Sequence, residues 1–113
     1  MKTIRFAVVG MGHIGKRHAE MVLRQTGCEL VACADVRSAE DCGYVGEEPF
    51  YNSLQDLLRA HASELDVLCV CTPNGLHAQQ ALAALESDLH VVIEKPMALN
   101  RQDGEDVLHA ALA

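Results

Sequence analysis

The feature that most constrains this chain is a glycine-rich stretch at residues 10–15, placed between an apolar run and a helical pattern. A G-x-G-x-x-G pattern is a weak signal alone, but between a strand and a helix it predicts a phosphate-binding turn. Gly10 allows the tight turn, Gly12 lets a pyrophosphate approach the backbone, and Gly15 permits close packing of helix and strand. The free N–H groups at the helix start would then face the phosphates. A glycine-rich turn without a ligand is the alternative.

Strand-like and helix-like segments alternate along the chain, which predicts βαβ units and a parallel sheet. Apolar runs predict strands at 3–9, 30–34, 49–51, 66–71 and 90–93. Helical spacing predicts helices at 13–25, at 38–42, after a cap at Ser53, at 75–86 and after a cap at Asn100. Right-handed crossovers with a central first strand give the order 3-2-1-4-5. The expected fold is α/β: a Rossmann-type doubly wound parallel sheet with helices on both faces.

Length and composition suit one domain. The chain has 113 residues, half of them hydrophobic, which is enough for a real core. The last helix has no glycine or proline stop before Ala113, whereas a dinucleotide fold normally continues to a sixth strand. We therefore expect residues 1–113 to be a dinucleotide-binding domain separated from the part that binds substrate.

Charge and cysteine usage exclude several classes of partner. The net charge is −7 and no basic patch is present, so a nucleic-acid partner is not expected. No signal peptide is visible, and no apolar run reaches the roughly 18 residues that span a membrane. The five scattered cysteines form no C-x-x-C motif, which is typical of a reduced cytoplasmic protein with cysteines in its core.

Asp35 is the second part of the dinucleotide pattern. It lies 20 residues after Gly15, at the end of the second predicted strand. A carboxylate there accepts both hydroxyls of the adenosine ribose and repels a 2′-phosphate, which favours NAD over NADP. Arg37 complicates this preference, because a nearby guanidinium could hold that phosphate. The alternative for Asp35 is an ordinary turn residue after a strand.

Two further motifs fall at the ends of predicted strands. Thr72-Pro73-Asn74 ends the fourth strand, and Glu94-Lys95-Pro96 ends the fifth. Strands 1 and 4 are neighbours where the winding reverses, and ligands bind in the crevice outside the strand ends there. With the pyrophosphate over strand 1, the nicotinamide half lies over strands 4 and 5. Glu94 is expected to point away from Lys95 and to support a neighbouring loop.

In this order the motifs resemble the N-terminal half of the glucose–fructose oxidoreductase, inositol dehydrogenase and rhizopine catabolism (Gfo/Idh/MocA) family. The resemblance covers essentially the whole chain and includes His77, three residues after Asn74. Family members oxidise or reduce a carbinol carbon of a sugar, inositol or related compound with NAD or NADP. The resemblance implies that Lys95 is catalytic and contacts the reacting hydroxyl. It also implies that residues 72–74 line the nicotinamide side, with His77 close behind.

A lysine at position 95 suits this chemistry. Hydride removal from an alcohol needs a base, or a relay to one, for the hydroxyl proton. Burial or a neighbouring cation must lower the pKa of such a lysine before it can act as a base. A solvated lysine at a strand end is the alternative. A cis Lys95–Pro96 bond, turning the chain into the site, is a further expectation.

The predicted site is large and contains no metal. The expected cofactor contacts are Gly10, Gly12, His13, Ile14, Gly15, Asp35, Arg37, Thr72, Pro73, Asn74, His77, Glu94 and Lys95. No metal site is expected, because the remaining histidines share no spacing and no carboxylate partners: His18, His61, His90 and His109.

The chain departs from the family pattern in two ways. The segment after Asp35 is short, which predicts a shallower adenine pocket. A similarly short segment occurs in family members that oxidise nucleotide-linked N-acetylated sugar acids. The family's second catalytic pair, an Asp and a His four residues apart, lies in a C-terminal domain that is absent here. The sheet through which a parent enzyme is expected to form homo-oligomers is absent too.

Two other functions remain open from the sequence. A stand-alone NAD-binding or redox-sensing module would use the glycine stretch and Asp35 without catalysis. A methyltransferase would share those two features but leaves Glu94-Lys95-Pro96 unexplained.

Overall fold

The computed structural model describes residues 2–94 and 100–112. Five parallel strands form one sheet in the order β3-β2-β1-β4-β5. The strands are β1 Ile4–Val9, β2 Cys28–Ala34, β3 Phe50–Tyr51, β4 Val67–Val70 and β5 His90–Ile93. The predicted parallel sheet and its strand order are confirmed. The order reverses between β1 and β4, which leaves a crevice outside their carboxyl ends.

Helices connect the strands in sequence. They are α1 His13–Arg24, α2 Ala39–Cys42, α3 Leu54–His61, α4 His77–Glu86 and α5 Arg101–Leu112, with 3-10 turns at Ala62–Glu64 and Asn74–Leu76. The two predicted caps are confirmed. Ser53 Oγ accepts from the N–H of Asp56 at 3.1 Å, and Asn100 Oδ1 accepts from the N–H of Asp103 at 2.9 Å. Each cap satisfies an N–H group that has no partner within its helix.

Element boundaries differ slightly from the sequence-based expectation. β2 begins at Cys28, two residues earlier than expected, because Ile4 of β1 pairs with Cys28. The regular turns of α4 begin at His77 and not at residue 75, because Asn74–Leu76 forms a 3-10 turn. The Leu76 N–H donates to the Pro73 carbonyl at 2.9 Å within that tighter turn.

The core lies in two layers, one on each face of the sheet. Alternating residues of the buried strands point to opposite faces, as the strand period requires. On one face, Ala7 and Val9 of β1 pack in a cluster with Leu57 of α3. On the other, Val8 packs in a cluster with Val22 of α1. Helices therefore cover both faces, as predicted.

The five cysteines are free thiols, and Cys33, Cys42 and Cys69 are buried. Burial raises the pKa of Cys33 to about 12, and burial, with a smaller contribution from Glu94, raises that of Cys69 to about 11. These thiols behave as apolar core groups and not as nucleophiles. Among residues 2–94 and 100–112, no helix has the length and apolar character needed to cross a bilayer.

Candidate functional site

The three glycines of residues 10–15 meet different surroundings. Gly10 has φ +91°, and a Cβ built there would lie 2.5 Å from the backbone nitrogen of Thr72. A Cβ on Gly15 would lie 1.8 Å from the carbonyl oxygen of Gly10. Gly12 is different, because its nearest neighbour beyond the adjoining residues is the Arg37 guanidinium, 3.6 Å from a built Cβ. Gly10 and Gly15 thus shape the turn, whereas Gly12 leaves its outer side open.

The Asp35 carboxylate links this turn to the end of β2. Its Oδ2 accepts from the N–H of Met11 at 2.8 Å, and its Oδ1 accepts from the N–H of Arg37 at 2.9 Å. The Arg37 side chain adds two hydrogen bonds of 3.2 Å, Nε to Oδ1 and Nη2 to Oδ2. The residue is 9% exposed. Four donors therefore hold a mostly buried carboxylate at the mouth of the crevice.

Charge balance at Asp35 favours the ionised form. Burial acts to raise the pKa of the carboxyl, but the hydrogen bonds from Arg37 and Met11 and the Arg37 charge outweigh it. The pKa of Asp35 is therefore lower than its ordinary value. The Arg37 side chain is 51% exposed and rests between Asp35 and the open side of Gly12.

The loop after β4 forms the opposite wall. The Thr72 hydroxyl donates to Gln80 Oε1 on α4. His77 is 1% exposed, and its Nε2 donates to the Thr72 carbonyl oxygen at 2.6 Å. His77 thus lies beneath Thr72 and supports it. Pro73 is exposed beside it.

A cavity of about 110 Å³ lies between these two walls. It is lined by Val9, Asp35, Val36, Ser53, Leu54, Thr72, Pro73, Leu76 and Gln80. Six of these were not predicted from the sequence as site residues: Val9, Val36, Ser53, Leu54, Leu76 and Gln80. Ser53 and Leu54 could have been predicted from the strand order, because α3 begins directly after the carboxyl end of β3 and crosses toward β4. No pattern in the sequence marks Gln80.

A second cavity, of about 530 Å³, lies at the opposite edge of the sheet. Its lining includes residues at or next to the amino ends of three strands, namely Arg5, Glu29 and Pro49. It also includes Glu47, Glu48 and Glu64. Four carboxylates against one arginine and one histidine make it unsuited to a phosphate-containing ligand. The smaller cavity at the carboxyl edge is the candidate site.

The remaining predicted residues are distributed around this edge. His13 and Ile14 form the exposed first turn of α1, and Asn74 lies in the 3-10 turn after β4. Lys95, its bond to Pro96 and the side chain of Asn74 lie outside the described residues. α2 has only four residues, in agreement with the short segment expected after Asp35.

Two expectations about side-chain partners are wrong. Among the described residues, Glu94 contacts a helix and not a loop, because its Oε1 lies 2.6 Å from Nε2 of His18 on α1. His61 also has a carboxylate partner, because its Nδ1 bonds Glu64 Oε1. The first pair joins residues far apart in sequence and depends on helix packing, whereas the second follows from i, i+3 spacing. Across the described residues, no three His, Cys, Asp or Glu side chains are grouped so as to hold a metal ion.

Residues 4–113 match the oxidoreductase family Gfo/Idh/MocA, described as having an NAD-binding Rossmann fold. The chain is 33% identical over 112 residues to scyllo-inositol 2-dehydrogenase (NADP(+)) IolU of Bacillus subtilis, covering 97% of this chain and 34% of that protein.

Solved structures are similar to this chain in both sequence and fold. The WlbA dehydrogenase of Bordetella pertussis, in complex with NADH and UDP-GlcNAcA, is 37% identical with a TM-score of 0.83, covering 97% of this chain and 34% of that one. Scyllo-inositol dehydrogenase of Lactobacillus casei, with NAD(H) and scyllo-inositol, is 29% identical with a TM-score of 0.86, covering 98% of this chain and 33% of that one. The chain spans about a third of the length of these relatives. It belongs to the Gfo/Idh/MocA oxidoreductase family, of which it forms the NAD-binding Rossmann fold.

Proposed function

We propose that this chain holds NAD at the carboxyl edge of its sheet, with the adenosine ribose at Asp35 and the pyrophosphate over Gly12. The observation that carries the proposal is the ionised Asp35 carboxylate, which lines the cavity beside a glycine that leaves backbone open. The N–H groups at the start of α1, directly after Gly12, lack partners within the helix and carry the positive end of its dipole, which suits a phosphate. The apolar side chains of Val36, Leu54 and Leu76 suit the flat adenine ring.

We propose NAD and not NADP as the preferred cofactor. Asp35 would accept the 2′- and 3′-hydroxyls of the ribose and would repel a 2′-phosphate. In the structure the Arg37 guanidinium occupies the outer lone pairs of that carboxylate. The ribose hydroxyls would replace these two bonds. Because the Arg37 side chain is half exposed, it can move back to water at small cost.

We infer that the whole protein transfers a hydride between NAD and a carbinol carbon of a sugar, inositol or nucleotide-sugar substrate in the cytoplasm. The nicotinamide supplies or accepts the hydride when it is bound. Lys95 holds the proton of the reacting hydroxyl, and residues 72–74 line the nicotinamide side. Relatives that bind scyllo-inositol or UDP-GlcNAcA support this substrate class. The substrate domain and the homo-oligomer contact belong to the remainder of the protein, so residues 1–113 bind cofactor without turnover.

Calorimetry on the chain tests the cofactor proposal. NADH is expected to bind, NADPH to bind at least about tenfold more weakly, and S-adenosylmethionine not to bind. Asp35→Ser is expected to reduce the preference for NADH, because it removes the repulsion of the 2′-phosphate and leaves Arg37 available. Binding of S-adenosylmethionine without NADH would contradict the proposal.

The catalytic part of the proposal needs the full-length protein. Lys95→Ala is expected to abolish turnover on the accepted sugar while NADH affinity stays within about threefold. Unchanged turnover in this variant would favour a cofactor-binding module without catalysis.

A further inference from the structure

A side-chain pair in the described part of the chain joins α1 to the end of β5. His18 Nε2 lies 2.6 Å from Glu94 Oε1. An ionised carboxylate can only accept, so the imidazole Nε2 carries the hydrogen and donates it. The two side chains are 26% and 40% exposed. The pair is therefore partly shielded from water and stronger than a fully solvated surface pair.

The backbone of Glu94 is held in the sheet, but its carboxylate is not. The Glu94 N–H donates to the Val70 carbonyl at 3.2 Å, which extends the β4–β5 pairing one residue beyond Ile93. The side chain lies on the sheet face covered by α1. Burial, followed by the charges of Cys69 and Glu94, raises the pKa of the Cys71 thiol to about 12, consistent with that carboxylate lying near the end of β4.

This position connects the two halves of the proposed cofactor site. The first turn of α1 follows Gly12, where the pyrophosphate is proposed to bind, and His18 lies on the next turn of the same helix. Glu94 directly precedes Lys95 in the chain. A cavity of about 200 Å³ is lined by Ile14, Arg17, His18, Met21 and Glu94. The carboxylate therefore has room to rotate away if the imidazole is removed.

We propose that His18 is a positioning residue for the nicotinamide end of the cofactor site, acting through its hydrogen bond to Glu94. The imidazole fixes the orientation of the Glu94 carboxylate, a predicted cofactor contact, relative to the phosphate-binding helix. The inference rests on the proposed NAD function and adds a residue outside the glycine, Asp35 and lysine motifs. It requires that loss of His18 affect the nicotinamide half of the ligand and spare the adenosine half.

The test compares two ligands on the chain, NADH and ADP-ribose, by calorimetry. ADP-ribose keeps the adenosine and pyrophosphate but lacks the nicotinamide. His18→Leu is expected to weaken NADH about three- to fivefold, the size expected for a partly exposed charged hydrogen bond, and to leave ADP-ribose unchanged. His18→Gln is expected to restore NADH affinity, because the amide nitrogen of glutamine reaches the position of Nε2 and can donate to Glu94.

His90→Leu is the matched control, since His90 is exposed at the opposite end of β5 and should change neither affinity. Equal weakening of both ligands by His18→Leu would mean that the pair only supports the fold, and it would overturn the inference. Unchanged NADH affinity would overturn it too. A wild-type chain that binds neither ligand would instead refute the cofactor proposal itself, and the inference with it.

Discussion

At the scale of single residues, the glycines of residues 10–15 have separable roles. Gly15 has no room for a side chain, because its built Cβ falls 1.8 Å from a backbone oxygen. Gly12 has a φ of −75°, which any residue adopts, and room for a methyl group. A glycine that the fold does not require, in a loop where the neighbouring glycines are required, points to a ligand that does require it.

We therefore expect Gly12→Ala to lose ligand affinity and Gly15→Ala to lose stability. Gly12→Ala should leave the free energy of unfolding unchanged or raise it by up to about 1 kcal/mol, and should weaken ADP-ribose binding at least tenfold. Gly15→Ala should lose several kcal/mol of stability, because helix and turn must move apart. Urea denaturation and calorimetry measure both. A Gly12→Ala chain with full affinity would contradict a pyrophosphate at this position.

Asp35 should make stability depend on acid pH. The pKa of this carboxyl is lowered in the folded chain, because hydrogen bonds from Arg37 and Met11 outweigh burial. A lowered folded pKa stabilises the fold above the unfolded value of about 3.9, and this contribution is lost as pH falls through the folded pKa. The stability difference between wild type and Asp35→Asn is thus expected to be full at pH 5 and to shrink below about pH 4. Urea titrations from pH 5 to acid measure it, and a constant difference would contradict the assignment.

At the scale of elements, α1 contacts β1, β2 and α2. Its buried side packs on β1 and β2, and its N-terminus faces the proposed phosphate position. Lys16 Nζ donates to the carbonyl oxygen of Cys42 at 2.8 Å. That oxygen belongs to the last turn of α2, where carbonyl groups lack partners within the helix. A helix of four residues has little stability of its own and depends on such contacts.

Lys16→Met tests this dependence. The variant keeps most of the apolar stem but loses the donor, and we expect it to cost about 1 kcal/mol of unfolding free energy. Amide exchange at residues 39–44 should accelerate more than exchange in β1. Lys2→Met is the control, because Lys2 is exposed ahead of β1. Equal changes in the two variants would mean that the loss is a general effect of charge.

At the scale of the whole molecule, the proposed binding site lies above a two-layer core, and phosphate binding there cannot rely on the net charge of the chain. The chain has a net charge of −7, so backbone N–H groups and a few nearby cations must hold any phosphate. β4 lies between β1 and β5, and its Leu68 is 0% exposed. The core beneath the site is therefore expected to determine whether the crevice keeps its shape.

Leu68→Ala should lower the unfolding free energy by about 2–5 kcal/mol, a large share of the roughly 5–15 kcal/mol of a typical domain. NADH at a hundred times its dissociation constant should restore about 2.7 kcal/mol if the crevice is preserved. Leu112→Ala, at an 88% exposed residue, should stay within about 0.5 kcal/mol of wild type. Thermal denaturation with and without NADH measures these effects. A Leu68→Ala chain that NADH cannot stabilise would show that the crevice is lost with the core.

The sequence by itself determined the order and type of the elements and the topology of the sheet. Apolar runs, caps such as Ser53 and the glycine turn are local signals, and the right-handed crossover rule converts their order into a strand order. The sequence also placed the glycine turn, Asp35 and Thr72 at the carboxyl edge of the sheet, because the carboxyl ends of parallel strands lie together. The sequence did not determine every element boundary: residues 74–76 form a 3-10 turn where the first turn of α4 was expected.

Only the tertiary structure decided which side chains meet. The bond from the Met11 N–H to Asp35, the Gln80 partner of Thr72 and the His18–Glu94 pair all depend on rotamers and on how the elements pack. The last pair joins residues 76 positions apart, and no periodicity in the sequence relates them. Secondary structure follows from short-range backbone preferences and burial patterns. These contacts instead require the placement of the glycine turn against β2, of α4 against the end of β4, and of α1 against the end of β5, which exists only once the sheet has formed.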